Sequence, residues 1–531
     1  MTSKLVKVKD LSVSFNNDGN IVDVLKNVNF EIEQGTCLCL VGESGSGKSL
    51  SAYSIVDLLP KKAFIKSGKI KFNGIYLTDL DEKEKQKIRG NQIGFIFQEP
   101  LSALNPLFTV GKQIEECLKL HTKLNKQERY KKVISLLKKV QIDNPEVRFN
   151  AYPHELSGGQ RQRVCIAMAL ANKCKLLIAD EPTTALDVSV QKEILDLIKQ
   201  LQTENNLAVL FITHDFSVVE EMAQYVAVMK KGEIVEQGGL RKVLDAAENA
   251  YTKKLLNSMP GKQDYLEESS SNENILKIKN LNKAFKSKTS IFKSMKIKAV
   301  DNISFNLSAK QTLAIVGESG SGKSTLVRCI TRLITSDYGE INFLGTDLAK
   351  AKSKQLRNAR REMQMIFQDP LDSLNPRMRI FDSVAEGLIA YNVMPKDEIR
   401  PYLEKIFTDC KLNPSDLDRL PSDFSGGQRQ RVCIAKAIAM KPKLLIADEA
   451  VSALDLSVQK TVLGLLNELK DKYNLSILFI THDLRVVKEI ADSVIVMQNG
   501  KIVEQGVTKQ LFNNPNNDYT IKLLKAIPGD F

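Results

Sequence analysis

Eight residues, Gly42-Glu43-Ser44-Gly45-Ser46-Gly47-Lys48-Ser49, match G-x-x-x-x-G-K-[ST], a pattern built to hold phosphate. The glycines let backbone N–H groups turn inward around an oxyanion, and the helix start that follows adds the positive end of its dipole. Lys48 can reach β- and γ-phosphate oxygens, and the Ser49 hydroxyl can hold Mg²⁺. The plain alternative is a Gly/Ser-rich turn that happens to end in Lys-Ser. The same eight residues recur as Gly317-Glu318-Ser319-Gly320-Ser321-Gly322-Lys323-Ser324, which chance does not produce. A second pattern ends an apolar run in two carboxylates, Leu176-Leu177-Ile178-Ala179-Asp180-Glu181, and returns as Leu444-Leu445-Ile446-Ala447-Asp448-Glu449. Asp180 completes a Mg²⁺ shell with Ser49. Strand alternation points Glu181 the other way, where it can orient or deprotonate a water. A third, Ser157-Gly158-Gly159-Gln160, recurs as Ser425-Gly426-Gly427-Gln428. A Ser-Gly-Gly helix start exposes N–H groups at the positive dipole end, although an ordinary Ser N-cap reads the same way.

The elements that must position these groups follow from local pattern. The first loop comes after the β-like run Thr36-Cys37-Leu38-Cys39-Leu40-Val41 and opens a helix predicted to reach about Leu59. Leu176–Ala179 and Val209–Ile212 are short apolar runs of the buried parallel-strand type, with a helix between them at Val190–Gln202. Strand signals fade between Pro106 and Pro153, where Lys112–Leu124 and Gln127–Val140 read as helices; Pro376–Pro421 repeats this. The motifs keep their order and spacing across both halves, with Glu181 and Glu449 separated by 268 residues (449 − 181) and His214 and His482 by the same interval. The chain is therefore a duplicated α/β domain, residues 1–260 and 275–531, joined by a polar linker at 261–274.

Taken together, these motifs resemble the ATP-binding cassette ATPases over nearly the whole chain. The resemblance implies two tandem P-loop NTPase domains, each a RecA-like parallel-sheet core with an antiparallel β part and an inserted helical lobe. It implies ATP and Mg²⁺ as cofactors. It also implies that the halves pair as an intramolecular dimer, the signature of one closing on the phosphate loop of the other. One composite site then joins Lys48, Ser49, Gln98, Asp180, Glu181 and His214 to Ser425–Gln428. The other joins Lys323, Ser324, Gln368, Asp448, Glu449 and His482 to Ser157–Gln160. Gln98 and Gln368 match the family's Q-loop, which senses Mg²⁺ and the membrane partner. His214 and His482 match its switch histidine, and Thr184-Ala185-Leu186-Asp187 and Ser452-Ala453-Leu454-Asp455 match its D-loop. Phe15 and Phe285 stand where the family places an adenine-stacking aromatic, a position a core Phe fills equally well. Asp448-Glu449-Ala450-Val451 lacks the proline of Asp180-Glu181-Pro182-Thr183, which softens the turn but keeps both carboxylates, so both sites are expected to hydrolyse ATP.

Ser102-Ala103-Leu104-Asn105-Pro106 and Asp372-Ser373-Leu374-Asn375-Pro376 resemble the oligopeptide/dipeptide/nickel importer group, the first half its D-type ATPase and the second its F-type. The half-ends Tyr251-Thr252-Lys253-Lys254-Leu255-Leu256 with Pro260, and Tyr519-Thr520-Ile521-Lys522-Leu523-Leu524 with Pro528, resemble that group's C-terminal extension. The fused arrangement is most like the Yej-type importers of microcin C and other peptides, with glutathione or nickel import as alternatives. The resemblance implies two membrane permease subunits, a solute-binding protein and a peripheral place on the cytoplasmic face of the bacterial inner membrane.

Bulk properties agree with this reading. Hydrophobic residues make up 43% and charged residues 26% of 531, and no apolar run approaches the ~18 residues of a membrane-spanning helix. The net charge of +13 is scattered, which reads as a Lys-rich solvated surface. The competing class, a soluble translation-associated cassette ATPase, carries a long basic helical linker for RNA. Here the linker is short and Ser/Asn/Glu-rich, so no nucleic-acid partner is expected. The eight cysteines form no C-x-x-C pair, which predicts small buried thiols in a reducing compartment.

Overall fold

A computed structural model describes residues 4–184, 186–260, 273–290, 293–368, 373–452 and 454–527. Residues 261–272 of the expected linker, Ala185, Ala453, residues 369–372 and Pro528 lie outside the described residues. The chain divides into two compact units that change over at Met259–Pro260.

In the first unit, strands β1 (Lys4–Asn17), β2 (Asn20–Glu33), β3 (Cys37–Val41), β4 (Ala63–Phe72) and β5 (Ile75–Tyr76) come first, then β6 (Ile93–Ile96), β7 (Leu176–Asp180), β8 (Ala208–Thr213), β9 (Tyr225–Lys230) and β10 (Glu233–Gly239). They form a four-stranded antiparallel sheet, β2-β1-β4-β5, and a six-stranded sheet, β10-β9-β3-β8-β7-β6. In the larger sheet β6, β7, β8, β3 and β9 are parallel and only β10 runs against them. The parallel strands are apolar throughout because both faces are covered. Cys37, Cys39, Val41, Leu177, Ala179, Val209 and Phe211 face a core shared with the helical lobe. Leu38, Leu40, Leu176, Ile178, Leu210 and Ile212 face a second core under the antiparallel sheet. This is the period of two expected of a strand, read on both sides.

Because β3, β6, β7 and β8 are parallel, their C-terminal ends open onto one edge of the sheet. The phosphate loop, Gln98, Asp180-Glu181 and His214 all leave from that edge, the usual ligand side of such sheets. The helical lobe enters between β6 and β7 as helices Val110–His121 and Lys126–Lys139, close to the predicted spans. The helix predicted as Val190–Gln202 runs Val188–Asn205. The first loop's helix stops at Val56 and not near Leu59: Asp57 turns left-handed (φ 51°) and its N–H bonds back to Ser54 and Tyr53.

The second unit repeats the plan with β11 (Asn274–Ser290), β12 (Lys293–Ser308), β13 (Thr312–Val316), β14 (Tyr338–Phe343), β15 (Thr346–Asp347), β16 (Met363–Ile366), β17 (Leu444–Asp448), β18 (Ser476–Ile480), β19 (Ser493–Gln498) and β20 (Lys501–Val507). Its sheets are ordered β12-β11-β14-β15 and β16-β17-β18-β13-β19-β20. Helices Ile380–Ala390 and Lys396–Asp409 form its lobe. All eight cysteines are free thiols, and burial pushes Cys165 up to about 12, consistent with a packing role. No helix among the described residues is long and apolar enough to cross a membrane.

Candidate active site

Each phosphate loop leaves a fully buried strand and closes on a helix N-terminus. Gly47 and Gly322 sit at the N-caps of helices Lys48–Val56 and Lys323–Ile330 with φ 105° and 104°, a conformation that a side chain would strain. Lys48 Nζ donates to the loop carbonyls of Gly42 (2.7 Å) and Glu43 (3.0 Å); Lys323 Nζ does the same to Gly317 (2.5 Å) and Glu318 (3.0 Å). The lysines thus rest on the rim of their own loops. Burial holds Lys323 below the usual lysine range.

Around the first loop the predicted groups converge. Ser49 Oγ donates to Asp180 Oδ1 at 2.9 Å. Lys48 Nζ lies 3.9 Å from Glu181 Oε1. Glu181 Oε2 accepts from Gln98 Nε2 (3.3 Å) and Thr184 Oγ1 (3.0 Å) and lies 3.2 Å from His214 Nδ1. Burial opposes the Glu181 charge, but His214, Lys48 and Thr184 outweigh it and hold the carboxyl below its ordinary range. Asp180 differs. Burial first, and then the Glu181 charge, push it up to about 6. Its Oδ2 is buried without a hydrogen-bond partner.

Strand alternation does not carry through to Glu181, contrary to the sequence expectation. Glu181 takes φ 45° and its N–H bonds to Ile212 O at 3.0 Å, so the chain leaves the strand at Asp180. The left-handed turn brings both carboxylates to the same loop, Asp180 to Ser49 and Glu181 to Lys48. A non-glycine residue in this region stores strain, as functional sites often do.

The second unit repeats the geometry. Glu449 has φ 49°, its N–H bonds to Ile480 O at 3.0 Å, and it meets Gln368 Nε2 at 2.8 Å and His482 Nδ1 at 3.5 Å. Burial and the Glu449 charge push Asp448 up to about 6, and its Oδ1 is buried without a partner. Burial works against a charged His482, but the Glu449 carboxylate more than offsets it and raises the imidazole above its usual range.

Ser157 and Ser425 are exposed N-caps, each bonded reciprocally with the glutamine three residues on, Gln160 or Gln428. The Ser N-cap and the exposed helix start are thus both present. Gly159 is required: a Cβ there would stand 2.5 Å from Val190 Cγ1, and at Gly427 2.3 Å from Val458 Cγ1. Phe15 is half-buried on β1, paired with Val22 and Ala63, and Phe285 is 45% exposed on β11.

Sequence reasoning missed four contributors. Tyr53, one helical turn beyond Ser49, stands beside Asp180, and burial together with the Asp180 charge pushes its phenol up to about 12. Thr184 was read only as part of a loop, yet its hydroxyl holds the Glu181 carboxylate. Tyr251 and Tyr519 reach the phosphate loops through their hydroxyls. A polar residue three or four positions past a motif residue was the available signal for the first two; none existed for the tyrosines, whose contact spans about two hundred residues of sequence.

The family model described as ABC transporter matches residues 25–184 and 300–452, once in each unit. A second, the oligopeptide/dipeptide transporter C-terminal region, matches 235–283 and 503–529. The chain is 45% identical over 529 residues to the peptidoglycan transport ATP-binding protein YejF of Agrobacterium fabrum, covering 99% of this chain and 96% of that one. It is 43% identical to an uncharacterized ABC transporter ATP-binding protein YejF of Escherichia coli, covering 99% of both. It is 39% identical to the glutathione import ATP-binding protein GsiA of Pectobacterium atrosepticum, covering 99% of this chain and 90% of that one. With both units matched and relatives aligned along almost the entire length, the chain belongs to the ABC transporter family, as an ATP-hydrolysing subunit carrying two ATP-binding cassettes.

Proposed function

We propose that this chain powers an importer of peptides from the cytoplasmic face of the bacterial inner membrane, working with two permease subunits and a solute-binding protein. The observation that carries the cargo class is the C-terminal region of the oligopeptide/dipeptide transporters, present once in each half. The 39% identity to a glutathione import protein favours a second reading, a small thiol peptide as cargo.

In this reading residues 1–260 and 275–531 are two cassettes joined by the linker at 261–274, and both hydrolyse ATP. Lys48 and Lys323 exchange their loop carbonyls for phosphate oxygens. Glu181 and Glu449, ionised and aimed by the left-handed turn, accept the proton of the attacking water. His214 and His482 hold those carboxylates in place and face the γ-phosphate. The unpartnered buried oxygens, Asp180 Oδ2 and Asp448 Oδ1, fit a cation, so Ser49 with Asp180 and Ser324 with Asp448, approached by Gln98 and Gln368, would hold Mg²⁺. That ion supplies charge neutralisation on the β- and γ-phosphates. We assign Ser425–Gln428 to complete the first site and Ser157–Gln160 the second, and Phe15 and Phe285 to stack on adenine.

The test is ATP turnover of the purified chain, alone and reconstituted with permease subunits in liposomes, with di- and tripeptides or glutathione delivered by the binding protein. Stimulation by permease and peptide supports the reading. Stimulation by ribosomes and not by permease would overturn it.

A further inference from the structure

The C-terminal extension of each unit is built to reach that unit's phosphate loop. In the first unit Glu236, on β10, accepts from the N–H groups of Glu248 (2.7 Å) and Asn249 (3.2 Å). Asn249 caps helix Ala250–Asn257 by accepting from the Tyr251 N–H at 2.8 Å. Tyr251 is 6% exposed, its ring lies under Lys230 Nζ at 4.6 Å, and its hydroxyl accepts from the Glu43 N–H at 3.3 Å. The second unit rebuilds the chain of contacts with Glu504, Asn516, Asn517 and Tyr519, ending on the Glu318 N–H at 3.2 Å. Burial pushes the Tyr519 hydroxyl up to about 12, so it stays a neutral phenol. Glu43 and Glu318 are the second residues of their loops, at positions the motif leaves open.

We propose that Tyr251 and Tyr519 are positioning residues for ATP binding, clamping the entry of each phosphate loop so that the C-terminal extension sets the nucleotide affinity of its own unit. The loop must present several N–H groups to phosphate at once. A donor fixed at its first turn lowers the conformational freedom lost on binding. The clamp grips the backbone of a residue outside the GK[ST] cradle, so it acts on loop shape and touches no phosphate.

This rests on the ATPase reading, and the experiment separates the two. The full chain is prepared as Tyr251→Phe and as Tyr519→Phe, each with the opposite site silenced by Lys323→Ala or Lys48→Ala. Phe keeps the ring packing and removes only the hydroxyl. Kd for a fluorescent ATP analogue, KM, kcat, Tm and amide exchange across residues 42–49 or 317–324 are measured. The expected result is a rise in Kd and KM of roughly threefold to tenfold, the loss of one hydrogen bond, with kcat falling less, Tm held and loop exchange faster. Unchanged Kd and KM, or a lower Tm with KM unmoved, would overturn the clamp while leaving the ATPase reading intact. A wild-type chain that bound no nucleotide would overturn both.

Discussion

The two units agree at the site and disagree in the scaffold beneath it. Glu181 and Glu449 take nearly the same left-handed φ, 45° and 49°, although Pro182 is replaced by Ala450. The supporting bonds repeat at equal lengths: Thr184 and Ser452 N–H to the glutamate carbonyl at 3.2 Å, and Leu186 and Leu454 N–H to Thr183 and Val451 at 3.3 Å. The sequence suggested a softer turn without proline. Its native shape is held by these local turn bonds together with the long-range bonds from Glu181 N–H to Ile212 and Glu449 N–H to Ile480, and proline's effect belongs mainly to the unfolded chain. Further out, the same connections are made with different chemistry. Gln224 Oε1 accepts from the Cys37 N–H (2.7 Å) and lies 3.5 Å from Gln202 Nε2. The second unit uses Asp492, bonded to the Thr312 N–H (2.6 Å) and to Lys470 (2.9 Å). Lobe and helix are tied by Lys139 to Glu204 (3.2 Å) in one unit and by Asp409 to Lys472 (2.6 Å) in the other, with the charges exchanged. The position beside Asp180 is Tyr53 in the first unit, and beside Asp448 it is Arg328 in the second. What is held constant is the placing of a few oxygens and nitrogens at one sheet edge; how the scaffold places them is free to vary.

The largest test of that equivalence is catalytic. Glu181→Gln and Glu449→Gln should each lower turnover at their own site by roughly 10²- to 10⁴-fold, the usual worth of a general base. If Glu449→Gln leaves permease-stimulated turnover unchanged, the matching geometry conceals a silent second site. Next comes the buried pair. Lys470 and Asp492 are 10% and 4% exposed, so Lys470→Ala should cost the second unit about 3–5 kcal/mol by stranding a carboxylate. Changing both to Gln copies the first unit's amide pair and should stay within about 1 kcal/mol of wild type. Chemical unfolding followed in the second unit decides it, and equal losses in both variants would show that the charges are required.

A smaller contrast lies beside the two glutamates. Thr184 donates to the Glu181 carboxylate, whereas Ser452 donates to the Glu449 main-chain carbonyl at 2.9 Å. Thr184→Val should slow the first site by roughly threefold to tenfold, and Ser452→Ala should leave the second within about twofold. Single-site turnover with the other site silenced reads this directly. Last is the exchanged ion pair. Burial works against the Asp409 charge, but Lys472 and Tyr473 hold the carboxyl below its usual range. A depressed folded pKa gives stability that is complete above the unfolded value of about 4 and is lost as pH falls through the folded one. Asp409→Asn should therefore cost about 1 kcal/mol at neutral pH, a difference that disappears in acid. Lys139→Met in the first unit should cost less than about 1 kcal/mol, as exposed pairs do. Thermal unfolding from pH 3 to 8 measures both.

The sequence alone determined the duplicated α/β plan, the phosphate loops, the paired carboxylates and the helical lobes. Each of these is a short pattern whose meaning is local: a run of apolar residues, a glycine beside a lysine, a serine that can cap a helix. Helix ends were less legible, because Asp57 stops the first loop's helix by turning left-handed, which no flanking glycine announces. Only the tertiary structure showed the left-handed glutamates, the orphaned aspartate oxygens, the tyrosine clamps and the interchange of amide and ion pairs. The reason is physical. A backbone bond such as Glu181 N–H to Ile212, or a phenol meeting a loop about two hundred residues away, depends on neighbours brought together by the sheet, and the residues that make it carry no mark of their partner.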